Sequence, residues 1–196
     1  MTELRKLHLY DSTTGGEAKF DSITNALTVI DYEHHEHHGG SAYAVQVVTT
    51  GGTAVSLAFK TPAGTKKAHM VFEFATESKA HVIVYEGTVW TTNTGTVVAP
   101  KQQNRSSANT SMLLEDKTAT PAYTAGGVLQ NPTITTVGDV ISQIYTFAGK
   151  QTGSSGGKRH ELILDPDETY SFVLTSDDGS KGLQLRLYWY EHTDAN

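Results

Sequence analysis

The chain has 196 residues and no cysteine, which allows one substantial domain and excludes disulfides, thiolate metal sites and thiol nucleophiles. It carries 15 Lys and Arg against 21 Asp and Glu, a formal net charge of -6, which argues against a domain built to grip nucleic acid by its phosphates. Only 18% of residues are charged and much of the remaining polarity is Thr, Ser and Gly, a composition better suited to sheets and turns than to helical bundles.

In chain order, the first 26 residues alternate poorly and are expected to form an arm, and nothing in them has the apolar run of a signal peptide or membrane span. Leu27 to His34 and Ala42 to Val48 are weaker strand candidates. Clear two-residue alternation begins at Ala54, where Val55, Leu57 and Phe59 share a face opposite Ser56 and Lys60. Met70, Phe72 and Phe74 follow the same rule, then Val82 and Val84. Val97 to Thr110 reads as a long polar loop, and Ser111 to Leu114 as a short strand. Val140 to Phe147 reads as a strand, with a short helix over Gly138 to Phe147 as the alternative. Lys150 to Lys158 is a Gly/Ser loop, and Glu161 to Leu164 a further strand candidate. Tyr170, Phe172 and Leu174 alternate next. The cleanest pattern closes the chain, with Leu183, Leu185, Leu187 and Trp189 on one face and Gln184, Arg186, Tyr188 and Tyr190 on the other.

Gly39-Gly40, Gly51-Gly52, Pro62-Ala-Gly64, Asn93-Thr-Gly95, Asp165-Pro-Asp167 and Asp178-Gly179 separate these runs as turns. Roughly eight to ten strands at this spacing predict an all-β fold, an antiparallel β-sandwich or jelly-roll-like single domain with long loops, spanning residues 27–196 after an arm at 1–26.

No G-x-S-x-G elbow, phosphate-binding loop or dinucleotide fingerprint is present. The unusual cluster is YEHHEHHGG, Tyr32 to Gly40. Its imidazoles make His34, His35, His37 and His38 the candidate metal ligands, but Gly39 stands where H-E-x-x-H would need its second histidine, so no hydrolytic metal is expected. The plain reading is a polar strand or rim. Trp189 is expected in the core, and Tyr188 and Tyr190 are expected to pack on a neighbouring sheet or subunit. Tyr32, His35, His37, Tyr188 and Tyr190 are therefore the interface candidates, with no catalytic residue and no cofactor.

Six stretches, in order, resemble tailed-bacteriophage capsid decoration, or cement, proteins: YEHHEHHGGSAY from Tyr32, FKTPAGTKKAHMVFEF from Phe59, HVIVYEG from His81, QNRSSANTS from Gln103, HELILDPDETYSFVLT from His160 and LYWYEH from Leu187. They are spread in order along the chain from Tyr32 to His192. The resemblance implies a jelly-roll-like domain on the outer surface of the virion, commonly a homotrimer. Its partner would be the major capsid protein, with neither nucleic acid nor membrane involved. The competing expectation is a carbohydrate-binding β-sandwich of a phage fibre, which needs Tyr188, Tyr190 and Trp90 exposed. A cupin-like metal enzyme would need histidines from separate strands, whereas four of the nine here crowd one segment.

Overall fold

The structure is a computed structural model that describes residues 37–116, 123–125, 127–147, 151–154 and 161–193. The chain divides into two compact units, Met1–His35 and Glu36–Asn196, and every described residue belongs to the second.

The described strands, in chain order, are β1 (Ala42–Gly52), β2 (Ala54–Lys60), β3 (Lys66–Thr76), β4 (Ala80–Glu86), β5 (Val89–Trp90), β6 (Thr96–Val98), β7 (Lys101–Gln102) and β8 (Leu114–Asp116). They continue with β9 (Tyr123–Ala125), β10 (Val128–Gln130), β11 (Ile134–Thr136), β12 (Asp139–Thr146), β13 (Gln151–Ser154), β14 (Leu162–Ile163), β15 (Thr169–Ser176) and β16 (Lys181–Thr193). One sheet runs β13-β3-β16-β1-β7, with β14 also on β3; a second runs β12-β4-β15-β2-β10-β6, with β8 and β9 beyond β2; and β5 and β11 form a small two-stranded sheet. All the described pairings are antiparallel.

The chain changes sheet at each step from β1 to β4, and again from β12 to the β13 and β14 pair, from there to β15, and from β15 to β16. The result is two facing sets, β14-β3-β16-β1 and β12-β4-β15-β2. This is the jelly-roll arrangement of the sandwich predicted from alternation. A register shift between Thr49 and Gly52 bends the end of β1, so the chain passes into β2 of the opposite sheet after a single residue, Thr53. The Gly51-Gly52 pair thus lies within a strand rather than forming the expected turn.

Period-2 alternation is the cause of the core. Leu57, Phe59, Phe72, Phe74, Val82, Val84, Phe172, Leu174, Leu185, Leu187 and Trp189 are all buried, as predicted from their parity. Phe72 of one sheet meets Phe172 of the other edge-on at 5.5 Å, and Tyr43 stacks on Trp189 at 5.8 Å. Tyr170 is fully buried, with its hydroxyl donating to Glu86 Oε2 (2.7 Å) and accepting from the Asp165 amide (2.9 Å). Burial holds that phenol far above its ordinary pKa, and the Glu86 hydrogen bond adds to the effect.

The strand expected over Val140 to Phe147 is present as β12, because the edge of β4 supplies its backbone partner, and the helical alternative does not form. Two local expectations change. The two expected loops also hold short strands. Lys101–Gln102 pairs with β1, and Gln151–Ser154 pairs with β3, where an open ladder position outweighs the weak strand propensity of Gly and Ser. Ser111 to Leu113 are irregular, and strand begins only at Leu114.

Candidate functional site

Of the histidine segment, Tyr32, His34 and His35 lie outside the described residues. His37 to Gly39 form one helical turn that ends at Gly40, in the left-handed region at φ 75°. A side chain at Gly40 would approach Ser107 Oγ to 2.5 Å, so only glycine fits the close passage of the following loop. That loop binds the turn through its amides. Gln102 Nε2 donates to the Gly40 carbonyl (2.7 Å), Asn104 Nδ2 to that of His38 (2.9 Å), and Asn109 Nδ2 to that of Gly40 (3.2 Å). His37 is half-buried and His38 exposed, at a rim built by polar side chains.

The far end of this loop is pinned by Glu191, a carboxylate only 1% exposed. It accepts from Ser111 Oγ at 2.6 Å, from the Met112 amide at 3.0 Å and from Trp189 Nε1 at 2.8 Å, with Lys66 Nζ at 3.9 Å. Burial raises its pKa, and the donors and Lys66 oppose that shift without cancelling it. The Tyr43 phenol beneath the rim is pushed up to about 12, by burial first and then by the Glu191 charge.

Tyr188 and Tyr190 project from the outer face of β16 and pack on their own sheet. Tyr190 faces His69 across the β3–β16 ladder, the rings stacked 4.8 Å apart, and His192 closes on His69 at 4.2 Å. His69 Nδ1 lies 3.3 Å from Glu161 Oε2. Arg186 Nη1 donates to the Tyr188 hydroxyl at 2.7 Å, its Nε to Gln46 Oε1 at 2.9 Å, and Glu73 stands 3.7 Å away. Trp90 is buried against Ala58, Leu129 and Val97. None of the three aromatics is the open ring platform that the carbohydrate expectation requires.

Among the described residues, the two most exposed large apolar side chains, Phe147 and Val140, lie elsewhere, on and just past β12. Val140 is 56% exposed, Tyr145 47% and Phe147, just past the strand, 77%, with Ile141 between them in sequence, Val137 just before the strand, and Val89 opposite Thr136 on the β5–β11 ladder. Tyr145 stacks on Phe147 at 6.2 Å and lies 5.2 Å from the His81 ring, whose Nδ1 is 2.8 Å from Asp177 Oδ1. The sequence reading missed this surface because a register shift between Val140 and Ser142 breaks the alternation. A usable signal was there: apolar residues of both parities, with Asp139 the only charge on the strand.

Among the described residues no group of three His, Asp or Glu side chains is placed to hold a metal ion, and no helix is long and apolar enough to cross a membrane. Comparison with protein-family models, characterised proteins and solved structures finds no match.

Proposed function

We propose that this chain is a bacteriophage virion structural protein, a cement that binds the major capsid protein from outside and braces neighbouring subunits as a homotrimer. The observation that carries the reading is the ordered set of six sequence resemblances from Tyr32 to His192. The architecture is compatible with it. The space between the sheets is filled by Phe, Leu, Val and Trp side chains, and the chemistry on offer is at the surface: a Tyr/Arg face on β16, a polar rim at His37–Gly40 and an apolar strand edge at β12. Aromatic and Arg side chains around apolar centres are the usual material of protein interfaces. Packaged DNA loads a shell in tension, and each cement contact adds buried area that must be lost before subunits part. Specific interfaces bury roughly 1,200–2,000 Å², so a few contacts per trimer raise the rupture barrier without catalysis, and multivalency makes attachment durable.

The test is co-sedimentation of the purified protein with empty expanded heads that lack it, followed by heating of DNA-filled heads with and without it. Saturable binding and later DNA release are expected. Heads that neither bind the protein nor gain heat resistance, alongside binding of the protein to host polysaccharide, would replace this reading with the carbohydrate-binding one. Tyr145 and Phe147, the open stacked pair, are the observation that keeps that second reading alive.

A further inference from the structure

We infer that Tyr145 and Phe147, with the His81–Asp177 pair beside them, form a binding site for a neutral glycan on the outer face of the β12-β4-β15 sheet. This goes beyond the cement reading and does not rest on it. It supplies the open aromatic platform that Tyr188, Tyr190 and Trp90 do not.

Three neighbouring strands build the site. On β12, Gln143 and Tyr145 alternate with the inward-facing Ile144 and Thr146, and Phe147 continues the outer face. On β4, His81 stands opposite Tyr145, and on β15, Thr175 stands opposite His81. Past the end of β15, the Asp177 amide donates to the Lys79 carbonyl at 2.9 Å, and its carboxylate reaches His81 Nδ1 at 2.8 Å. Ring contacts complete the row. His81 lies 5.2 Å from Tyr145, and Tyr145 lies 6.2 Å from Phe147 with their planes 18° apart. From β12 to β15 is two strand spacings, about 10 Å, which gives room for a short oligosaccharide. The polar groups are held before any ligand arrives, Asp177 by its own amide and the turn after it by the Lys79 amide on Asp178 Oδ2.

Hydrogen-bond polarity selects the occupant. The Asp177 carboxylate only accepts, so a neutral His81 carries its proton on Nδ1 and offers Nε2 as an acceptor. Gln143 Nε2 donates to the Tyr145 hydroxyl, which leaves the phenol O–H to donate outward. Phe147, 77% exposed, adds an open ring face with no polar group of its own. A pyranose meets all three. Its C–H face lies on the electron-rich face of an aromatic ring, and its hydroxyls both donate and accept. An apolar peptide laid on the same rings would cover His81 and Asp177 without giving them partners, which costs their desolvation. Anionic ligands, nucleic acid included, would meet the carboxylates of Asp177 and Asp178, with Lys79 the cation beside them. A neutral sugar satisfies the rings and the polar pair together.

The experiment uses the full chain, with lactose, maltose and cellobiose as neutral probes and sialyllactose and oligothymidylate as anionic ones. Saturation-transfer NMR detects the contact and a titration gives the Kd. At least one neutral disaccharide should bind saturably in the millimolar range, and more tightly than either anionic probe. Phe147→Ser should weaken that binding about tenfold, Phe147→Trp should keep it, and Asp177→Ala should weaken it about tenfold. Both positions are exposed, so circular dichroism and melting of the variants should match the parent. Failure of every neutral disaccharide to bind overturns the inference, as does binding that Phe147→Ser leaves unchanged. Tighter binding of oligothymidylate would give the rings to nucleobases and overturn it as well. Empty expanded heads are the second probe. A parent that binds heads but no sugar, with head binding weakened in Phe147→Ser, would assign the pair to the capsid contact and overturn the inference while sparing the cement reading. Sugar binding by a protein that ignores heads sustains the site and removes the cement reading.

Discussion

Ser111 donates its hydroxyl to Glu191 at 2.6 Å across a sequence separation of 80 residues, and this bond ties the polar loop to the last strand of the sandwich. The same carboxylate takes the Met112 amide and the Trp189 indole, so a single buried side chain satisfies three donors. Glu191→Ala should destabilise the protein by about 2–4 kcal/mol, since buried donors left without acceptors each cost about 1–3 kcal/mol and the site will partly relax. Glu191→Gln should cost clearly less, because its amide oxygen can occupy the Oε1 position where all three donors meet. Urea denaturation of both variants checks the order, and equal losses would show that Glu191 is not an acceptor hub.

The pH dependence of that site has a definite sign. The Glu191 pKa is raised above its usual 4.5 in the folded chain, so the folded state binds the proton more tightly than the unfolded state. Its contribution to stability is fully present below 4.5 and is lost as pH rises through the elevated folded value. Relative to Glu191→Gln, the parent should therefore lose stability from about pH 4 upward until the carboxyl is fully ionised. A stability difference between the two proteins that stays flat across this range would count against the raised pKa.

Gly138 joins β11 to β12 at φ 81°, and a methyl group there would lie 2.0 Å from the Glu86 carbonyl oxygen. Backbone cannot move aside as a flexible side chain can. Gly138→Ala should cost about 2 kcal/mol or more, and should loosen the β4–β12 pairing before the rest of the sheet. Hydrogen exchange at residues 139–146 is the direct readout, and unchanged protection there would refute the proposed clash.

Two phenylalanines with opposite burial give a matched pair. Phe172 is fully buried, edge-on to Phe72, whereas Phe147 is 77% exposed. Phe172→Ala should cost about 3–5 kcal/mol, which for a chain of this length lowers Tm by about 6–20 °C. Phe147→Ala should change Tm by no more than about 2 °C. Thermal melts of the two variants compare them directly, and a large loss at Phe147 would mean that its ring is covered within the folded chain.

Within the described residues, the core was legible because burial between two sheets depends on parity alone. Leu183, Leu185, Leu187 and Trp189 declare their face wherever β16 is placed, and Val55, Leu57 and Phe59 do the same for β2. The surface was less legible, because the role of an exposed residue depends on which strand lies beside it. Tyr188 and Tyr190 read as interface candidates packed on a neighbouring sheet or subunit, yet Arg186 and His69 of their own sheet occupy them, since the β3–β16 register brings His69 opposite Tyr190. Glu191 carried no signal of its own in the sequence. It became a buried anchor only because the loop carrying Ser111 and Met112 returns over it. Sequence alone determined the alternation, the absence of thiols and hence the all-β class. Tertiary structure alone decided that, among the described residues, β12 is the last strand of its sheet and pairs with β4 only. A strand becomes an edge through its neighbours, and no property of its own eight residues specifies how many it will have.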